Sequence, residues 1–229
     1  MAFAEWIKND LDLGDLISGS FKIVKLRLSH FLLVVVLVEF TGSILSSHFF
    51  DKAENLDPYL TIAASFLITF LFSVLENTML ILIVDGFSTG RTLSFAEMLL
   101  RGIKLFPLVI LSSLITGLIV LLGMALLIIP GILVAVYVAF FQNAIVLRKK
   151  GPIDALRYSY ELVKGRWWLV FGVLALVFIV VLVLSVTLEL ISMKIDLMFV
   201  PQLFQSLLNG FFSVLLCVFF LNLETREQN

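Results

Sequence analysis

Charge is what this chain has least of. Only 14% of its 229 residues are charged, whereas 61% are hydrophobic and the mean hydropathy is +1.11. A soluble domain carries about 25% charged residues, which cover its exterior. This shortage excludes a soluble globular domain and a disordered chain. Cys217 is the single cysteine, so no intrachain disulfide forms and a disulfide scaffold is excluded. Two histidines, His30 and His48, with no Cys/His cluster leave no metal site to expect. A net charge of −1 gives no basic field, so nucleic acid is not an expected partner. No G-x-S-x-G, H-E-x-x-H, phosphate-binding glycine loop or C-x-x-C occurs. No cofactor is expected, and the chain is not expected to be an enzyme.

What remains is apolar sequence in long runs. About 20 apolar residues in a helix cross the roughly 30 Å hydrocarbon core. Six stretches qualify, at about 30–50, 58–84, 107–128, 131–147, 167–188 and 201–222. The runs are continuously apolar, as in Phe31–Val38 and Leu174–Val183, and lack the alternation of a membrane β-barrel. No charge occurs between Leu105 and Leu147, which is too long for one span; Pro130-Gly131 is the expected break. Pro58, Pro107 and Pro201 are expected at helix starts, where a missing N–H is harmless. The expected fold is an all-α polytopic membrane protein with six transmembrane helices.

The sixteen cations fix an orientation. With these spans, only Lys52 and Lys194 fall on one side and every other lysine and arginine falls on the opposite side. Cytoplasmic loops carry the excess of lysine and arginine, so both termini are expected in the cytoplasm. Trp167 and Trp168 then mark an interface at the start of the fifth span. The first span follows an acidic stretch and is long for a signal peptide, so it is expected to remain as an anchor.

The segments ahead of the odd-numbered spans resemble one another. Asp12–Lys25 (DLGDLISGSFKIVK) aligns with Gly151–Lys164 (GPIDALRYSYELVK), matching Asp15 to Asp154 and Ser20 to Ser159. Ser94–Lys104 is a weaker third copy. Asp12, Ser94 and Gly151 stand at N-cap positions, each followed three residues on by an acid, Asp15, Glu97 or Asp154. The expected architecture is three repeats of a cytoplasmic interfacial helix plus two spans, with interfacial helices at about 12–27, 94–104 and 152–165. Amphipathic composition alone is the other explanation of the likeness.

The stretch from Leu126 to Phe171 carries a more particular pattern. Ile128-Ile129-Pro130-Gly131 opens a span, Gly151-Pro152-x-Asp154-Ala155-Leu156 opens a helix, and Ser159 and Lys164-Gly165-x-Trp167-Trp168 follow. This resembles the membrane domain attached to some bacterial glycerophosphodiester phosphodiesterases, and is similar to uncharacterised six-span bacterial inner-membrane proteins. The resemblance implies a bacterial inner membrane and six helices, and it implies little chemistry. These 229 residues leave no room for a soluble phosphodiesterase domain, so that activity is not carried over.

Two groups of residues are candidates for function. Glu39 and Glu76 lie inside spans one and two, both roughly 14–15 Å from the cytoplasmic interface at 1.5 Å per helical residue. Intramembrane acids are costly, so they point either to a proton or cation site or to hydrogen-bonded glue between helices. Gln142, Asn143, Gln205 and Asn209 are expected mainly as interhelical partners. Arg148, Lys149, Lys150, Arg157, Lys164 and Arg166 form a basic cluster, read either as lipid-headgroup contacts or as the topology signal alone. The functional expectation is a non-enzymatic membrane protein that binds or organises membrane lipids, or engages a membrane-protein partner or a second copy of itself. The alternative is a transporter or channel subunit using Glu39 and Glu76. The orientation is checked by fusing a reporter active only outside the cytoplasm after Lys52. Activity is expected there and not after Arg226, and the reverse pattern overturns the orientation.

Overall fold

The computed structural model of the chain describes residues 6–7, 12–52, 57–195 and 199–227, leaving out the side chains at 39, 40, 43, 47–52, 192–195, 199–202 and 227. Among the described residues there is no strand, and nine helices follow in order. They are α1 (Leu13–Leu26), α2 (Leu28–Lys52), α3 (Pro58–Ser88), α4 (Phe95–Leu126), α5 (Ile128–Tyr137), α6 (Phe141–Arg148), α7 (Pro152–Val163), α8 (Trp167–Ile195) and α9 (Phe199–Glu227). Among the described residues five segments are long and apolar enough to cross a membrane: α3, α4, α5 with α6, α8, and Leu203–Arg226 of α9. In α2 the apolar described part is the shorter Leu28–Val38.

Helices α3 and α9 form the centre. About half of the apolar window of each is buried, 50% and 56%, against 11% for α4 and for α8. Along α9, Val214, Leu215, Val218, Phe219, Phe220 and Leu223 are all core residues. Helices α1, α2, α3, α7 and α8 all pack on α9. The approach of α2 requires Gly210: a Cβ there would lie 2.9 Å from Val35 Cγ2 and 3.1 Å from Phe31 Cζ. Helices α4 and α5 meet as closely at Gly123, where a Cβ would lie 3.0 Å from Gly131 Cα. Small residues at such crossings let helix backbones approach where lipid provides no hydrophobic drive.

Helix starts follow the expected chemistry at two of three places. Asp12 caps α1 and Ser94 caps α4, and each closes a capping box with Asp15 or Glu97. At α7, Gly151 makes no side-chain cap, and Pro152 takes the first turn. One face of α1 is buried on the bundle through Leu16, Gly19, Ser20 and Ile23. Leu13, Ile17 and Phe21 form a second, exposed apolar stripe beside the exposed Lys22 and Lys25.

Two proline expectations are corrected. Pro107 does not start a helix; it lies inside α4, which runs unbroken from the Ser94 cap, so the expected segments 94–104 and 107–128 are one helix. A proline removes one backbone bond, and Pro107 sits on an exposed face of a helix that nothing else interrupts. The second break falls before Pro130-Gly131. Leu127 is extended (φ −164°, ψ 149°), α5 begins at Ile128, and Pro130 lies in its first turn, where N–H groups have no partner within the helix.

The fourth span has a break of its own that the apolar run conceals. It divides at Val138–Phe140 into α5 and α6. The Ser159 hydroxyl of α7 services this break: it donates to the Tyr137 carbonyl (2.8 Å) and accepts from the Phe140 amide (3.0 Å). Helix α7 is therefore docked against protein on one side, with Ala155, Leu156, Ser159, Leu162 and Val163 buried. Ser20, its counterpart in the aligned copy, only donates to Leu16 O of its own helix (2.7 Å). Ser159→Ala is expected to cost about 1–3 kcal/mol, because it leaves buried backbone groups unpaired. Ser20→Ala is expected to stay within about 0.5 kcal/mol, because the Leu16 carbonyl keeps its helical bond. Thermal unfolding in one detergent compares the two.

Candidate functional site

Two polar assemblies interrupt the apolar bundle. The first ties the end of α9 to the α6–α7 hairpin. Glu224 is 5% exposed at its side chain and receives Arg148 in two hydrogen bonds, Nε to Oε1 at 2.7 Å and Nη2 to Oε2 at 2.5 Å. The Tyr158 hydroxyl donates to the same Oε1. Burial, followed by the hydrogen bond to Glu224, pushes the Tyr158 phenol up from 10.0 to about 12. Nearby, Arg166 donates to the carbonyls of Leu223 (3.1 Å) and Arg226 (2.9 Å), occupying the open end of α9. Asn222 donates to Ile7 O (2.8 Å), so the same helix end also holds the chain near its N-terminus.

This assembly places the basic cluster. Arg148 and Arg166 are engaged by α9, Lys150 lies over the Tyr158 ring (5.4 Å) and Lys164 over the Tyr160 ring (5.9 Å). Lys149 and Arg157 are exposed. Glu224 and Tyr158 were not singled out from sequence. Glu224 lies beyond the expected end of the last span; the signal available was that an acid stands within two residues of Asn222 while α9 still has apolar neighbours.

The second assembly lies deeper and lines a cavity of about 920 Å³. Helices α3, α4, α6, α8 and α9 all contribute to its wall. One side is polar. Asn77 of α3 donates to Gln142 of α6 (2.7 Å) and accepts from Ser213 of α9. Gln142 in turn donates to Thr78 Oγ1 (3.2 Å) and Val74 O (3.3 Å). Farther along α9, Gln205 accepts from Ser185 of α8 and donates to Asn209 (3.0 Å). Glu76 is 8% exposed and lines this cavity with Asn77. The Glu39 side chain lies outside the described residues. Asn143 is buried beside Gln142 but is not part of the lining.

The α8 side of the cavity is apolar, made of Leu174, Val177, Phe178 and Val181. Helix α8 meets α5 near its first turn, where Trp167 Nε1 lies 3.5 Å from Leu133 O. Beyond that level α8 follows α9, and α4 and α8 are not a packed pair. Gly117 of α4 lines the cavity, and its Cβ would meet nothing within 4 Å. Unlike Gly123, Gly117 does not mark a close approach of two helices. Among the described residues no group of three or more His, Cys, Asp or Glu side chains is placed to hold a metal ion.

Five apolar helices of spanning length around a polar-walled cavity fit a multi-pass α-helical membrane protein. The chain belongs to the DUF7847 family, a domain of unknown function, whose family model matches residues 59–226. That match takes in the whole cavity lining together with Arg148, Tyr158 and Glu224. A search of curated proteins and a search of solved structures each return no match.

Removing Glu224 tests the first assembly. Glu224→Ala strands Arg148 and the Tyr158 hydroxyl, and the expected loss is about 2–3 kcal/mol, below the usual cost of breaking a fully buried pair because Arg148 is 44% exposed. Because the folded-state phenol is raised, its contribution to stability is complete below pH 10.0 and is lost as pH climbs through about 12. Tyrosinate absorbance should lose a step near pH 12 in Tyr158→Phe. Equal melting of Glu224→Ala and wild type would remove the pair from the stability of the fold.

Proposed function

We propose that this protein is a non-enzymatic, multi-pass membrane protein that binds lipid within its helix bundle. It acts in membrane homeostasis or as an accessory to a membrane-protein partner. The observation that carries this reading is the cavity, which is polar on α3, α6 and α9, apolar on α8, and walled in part by the two weakly buried helices α4 and α8. Such a chamber suits a molecule with a polar head and an apolar tail that enters from the bilayer. Its volume of about 920 Å³ falls within the range of small-molecule sites, about 300–1,000 Å³. The exposed apolar stripe of α1, flanked by lysines, supports contact with a membrane surface.

The finer placement belongs to the same proposal. The protein resides in a bacterial inner membrane with both termini in the cytoplasm, as the asymmetry of lysine and arginine suggests. The bundle is a threefold repeat of a capped amphipathic segment and two spans, with the segment fused to its span in α4; the matching capping boxes of α1 and α4 support this. Kinship with the membrane domain of the glycerophosphodiester phosphodiesterases stands on the Leu126–Phe171 pattern. The exposed Lys149 and Arg157 are the cations best placed to meet anionic headgroups.

Glu76 favours a second reading, that of a transporter or channel subunit, because it places an ionisable group on the cavity wall. Two measurements separate the readings. Native mass spectrometry of gently extracted protein is expected to show a retained lipid; a bare polypeptide would sink the lipid reading. In proteoliposomes, decay of an imposed pH gradient is expected to be equal for wild type and Glu76→Gln. A slower decay in the variant would favour the transporter.

A further inference from the structure

We propose that Arg27, His30 and Arg91 form a binding site for a phosphate group where the α1–α2 joint meets the α3–α4 turn. The site is separate from the cavity and does not depend on what the cavity holds.

Arg27, His30 and Arg91 line one cleft at this end of the bundle. Its floor is apolar and buried, made of Leu82 and Ile83 of α3 and Met98 of α4. The enclosed volume is about 10 Å³, which is room for one water-sized atom. The cleft therefore admits one oxygen of a ligand, whose other atoms stay at the mouth among the basic side chains.

Backbone contacts hold the two arginines together. Gly90, with φ +69°, turns the chain after α3. The Arg91 amide then donates to Gly86 O (2.8 Å), and Arg91 O accepts from Arg27 Nη2 (3.4 Å). Gly86 permits the turn, since a Cβ there would lie 2.9 Å from Arg91 O. That contact engages one nitrogen of the Arg27 guanidinium, and the Arg91 side chain is exposed. Among the described residues the one ion pair is Arg148 with Glu224, and no acid lines the cleft. Two permanently charged guanidiniums are thus brought to one cleft without a carboxylate. A phosphate supplies the missing charge, and its oxygens match the planar fork of arginine. The His30 imidazole adds an N–H donor in either protonation state. Arg27 and Arg91 fall on the cation-rich side of the spans, where basic pockets between membrane helices meet anionic head groups. A phospholipid head group and a soluble phosphate both present this chemistry.

The test titrates the detergent-solubilised full chain with dimyristoyl phosphatidic acid, dimyristoylglycerol and inorganic phosphate. Bound lipid is read by native mass spectrometry, with melting temperature in parallel. The phosphatidic acid is expected to bind at least about tenfold more tightly than dimyristoylglycerol, which has the same tails. Arg27→Gln with Arg91→Gln is expected to remove that preference. Arg91→Gln alone keeps the backbone bonds of the turn, so it stands in if the pair does not fold, and it should cut the preference at least about threefold. Val177→Trp, which fills the cavity, is expected to leave the preference intact. Inorganic phosphate that raises the melting temperature of wild type and not of the arginine variants assigns a soluble ligand; an effect of phosphatidic acid alone assigns a lipid head group. Equal binding of the two lipids with no effect of inorganic phosphate overturns the proposal. A preference that survives Arg27→Gln with Arg91→Gln overturns it too. A preference lost in Val177→Trp places the phosphate in the cavity, which leaves lipid binding standing and removes the cleft.

Discussion

Inside a bilayer no water is available to pair a backbone amide, so every break in a helix must be answered by the protein itself. Most of this fold follows from where the breaks fall and what answers them. At Leu127 the chain reverses in an extended residue, and Pro130 has no amide proton to leave unpaired. At Val138–Phe140 the helix parts within an apolar run, and Ser159 supplies both the donor and the acceptor. That second answer fixes where α7 must dock. Docking brings Tyr158, one residue away, to Glu224 on α9.

The same scarcity gives α9 its position. Polar side chains cost least when they satisfy one another, and α9 carries them at both ends of its buried stretch. Ser213 and Gln205 join it to α3 and α8, while Asn222, Glu224 and its final carbonyls hold Ile7, Arg148 and Arg166. Between these lies continuous aromatic and aliphatic core, where Phe219 and Phe220 surround Phe140. With α9 tied at both ends and α8 following it, α4 stands on the far side of α3. Both α4 and α8 line the cavity, which lies among α3, α4, α6, α8 and α9. Glu76 lines it from α3 beside Asn77.

Several features were legible in the residues alone because they depend on local chemistry. Long uncharged runs can only be apolar helices at this composition, and among the described residues five of the six expected runs lie in helices of spanning length, the first showing a shorter apolar part at Leu28–Val38. The caps at Asp12 and Ser94 read correctly because a side chain three residues from its partner needs no tertiary help. Pro107 misled because a proline marks a helix start only when the chain before it is free to be non-helical, and Ser94 had already committed it. The break at Val138–Phe140 left no signature because its partner, Ser159, lies nineteen residues away. Glu224 lies past the expected end of the last span at 222, and only the length of α9 brings it against Arg148. Gly117 and Gly123 are indistinguishable as letters; one meets a second backbone and the other meets open space.

The sequence by itself determined the solvent this chain requires, since 61% hydrophobic residues with 14% charge cannot be covered in water. It also determined the number of apolar runs and the asymmetry of the cations, which are properties of composition and order. Only the tertiary structure decided which polar groups meet. Asn77, Gln142 and Ser213 come from three separate helices, and no spacing along the chain encodes their contact. It also decided which helices line the chamber. Periodicity reports the environment a face prefers; it does not report which face lies opposite.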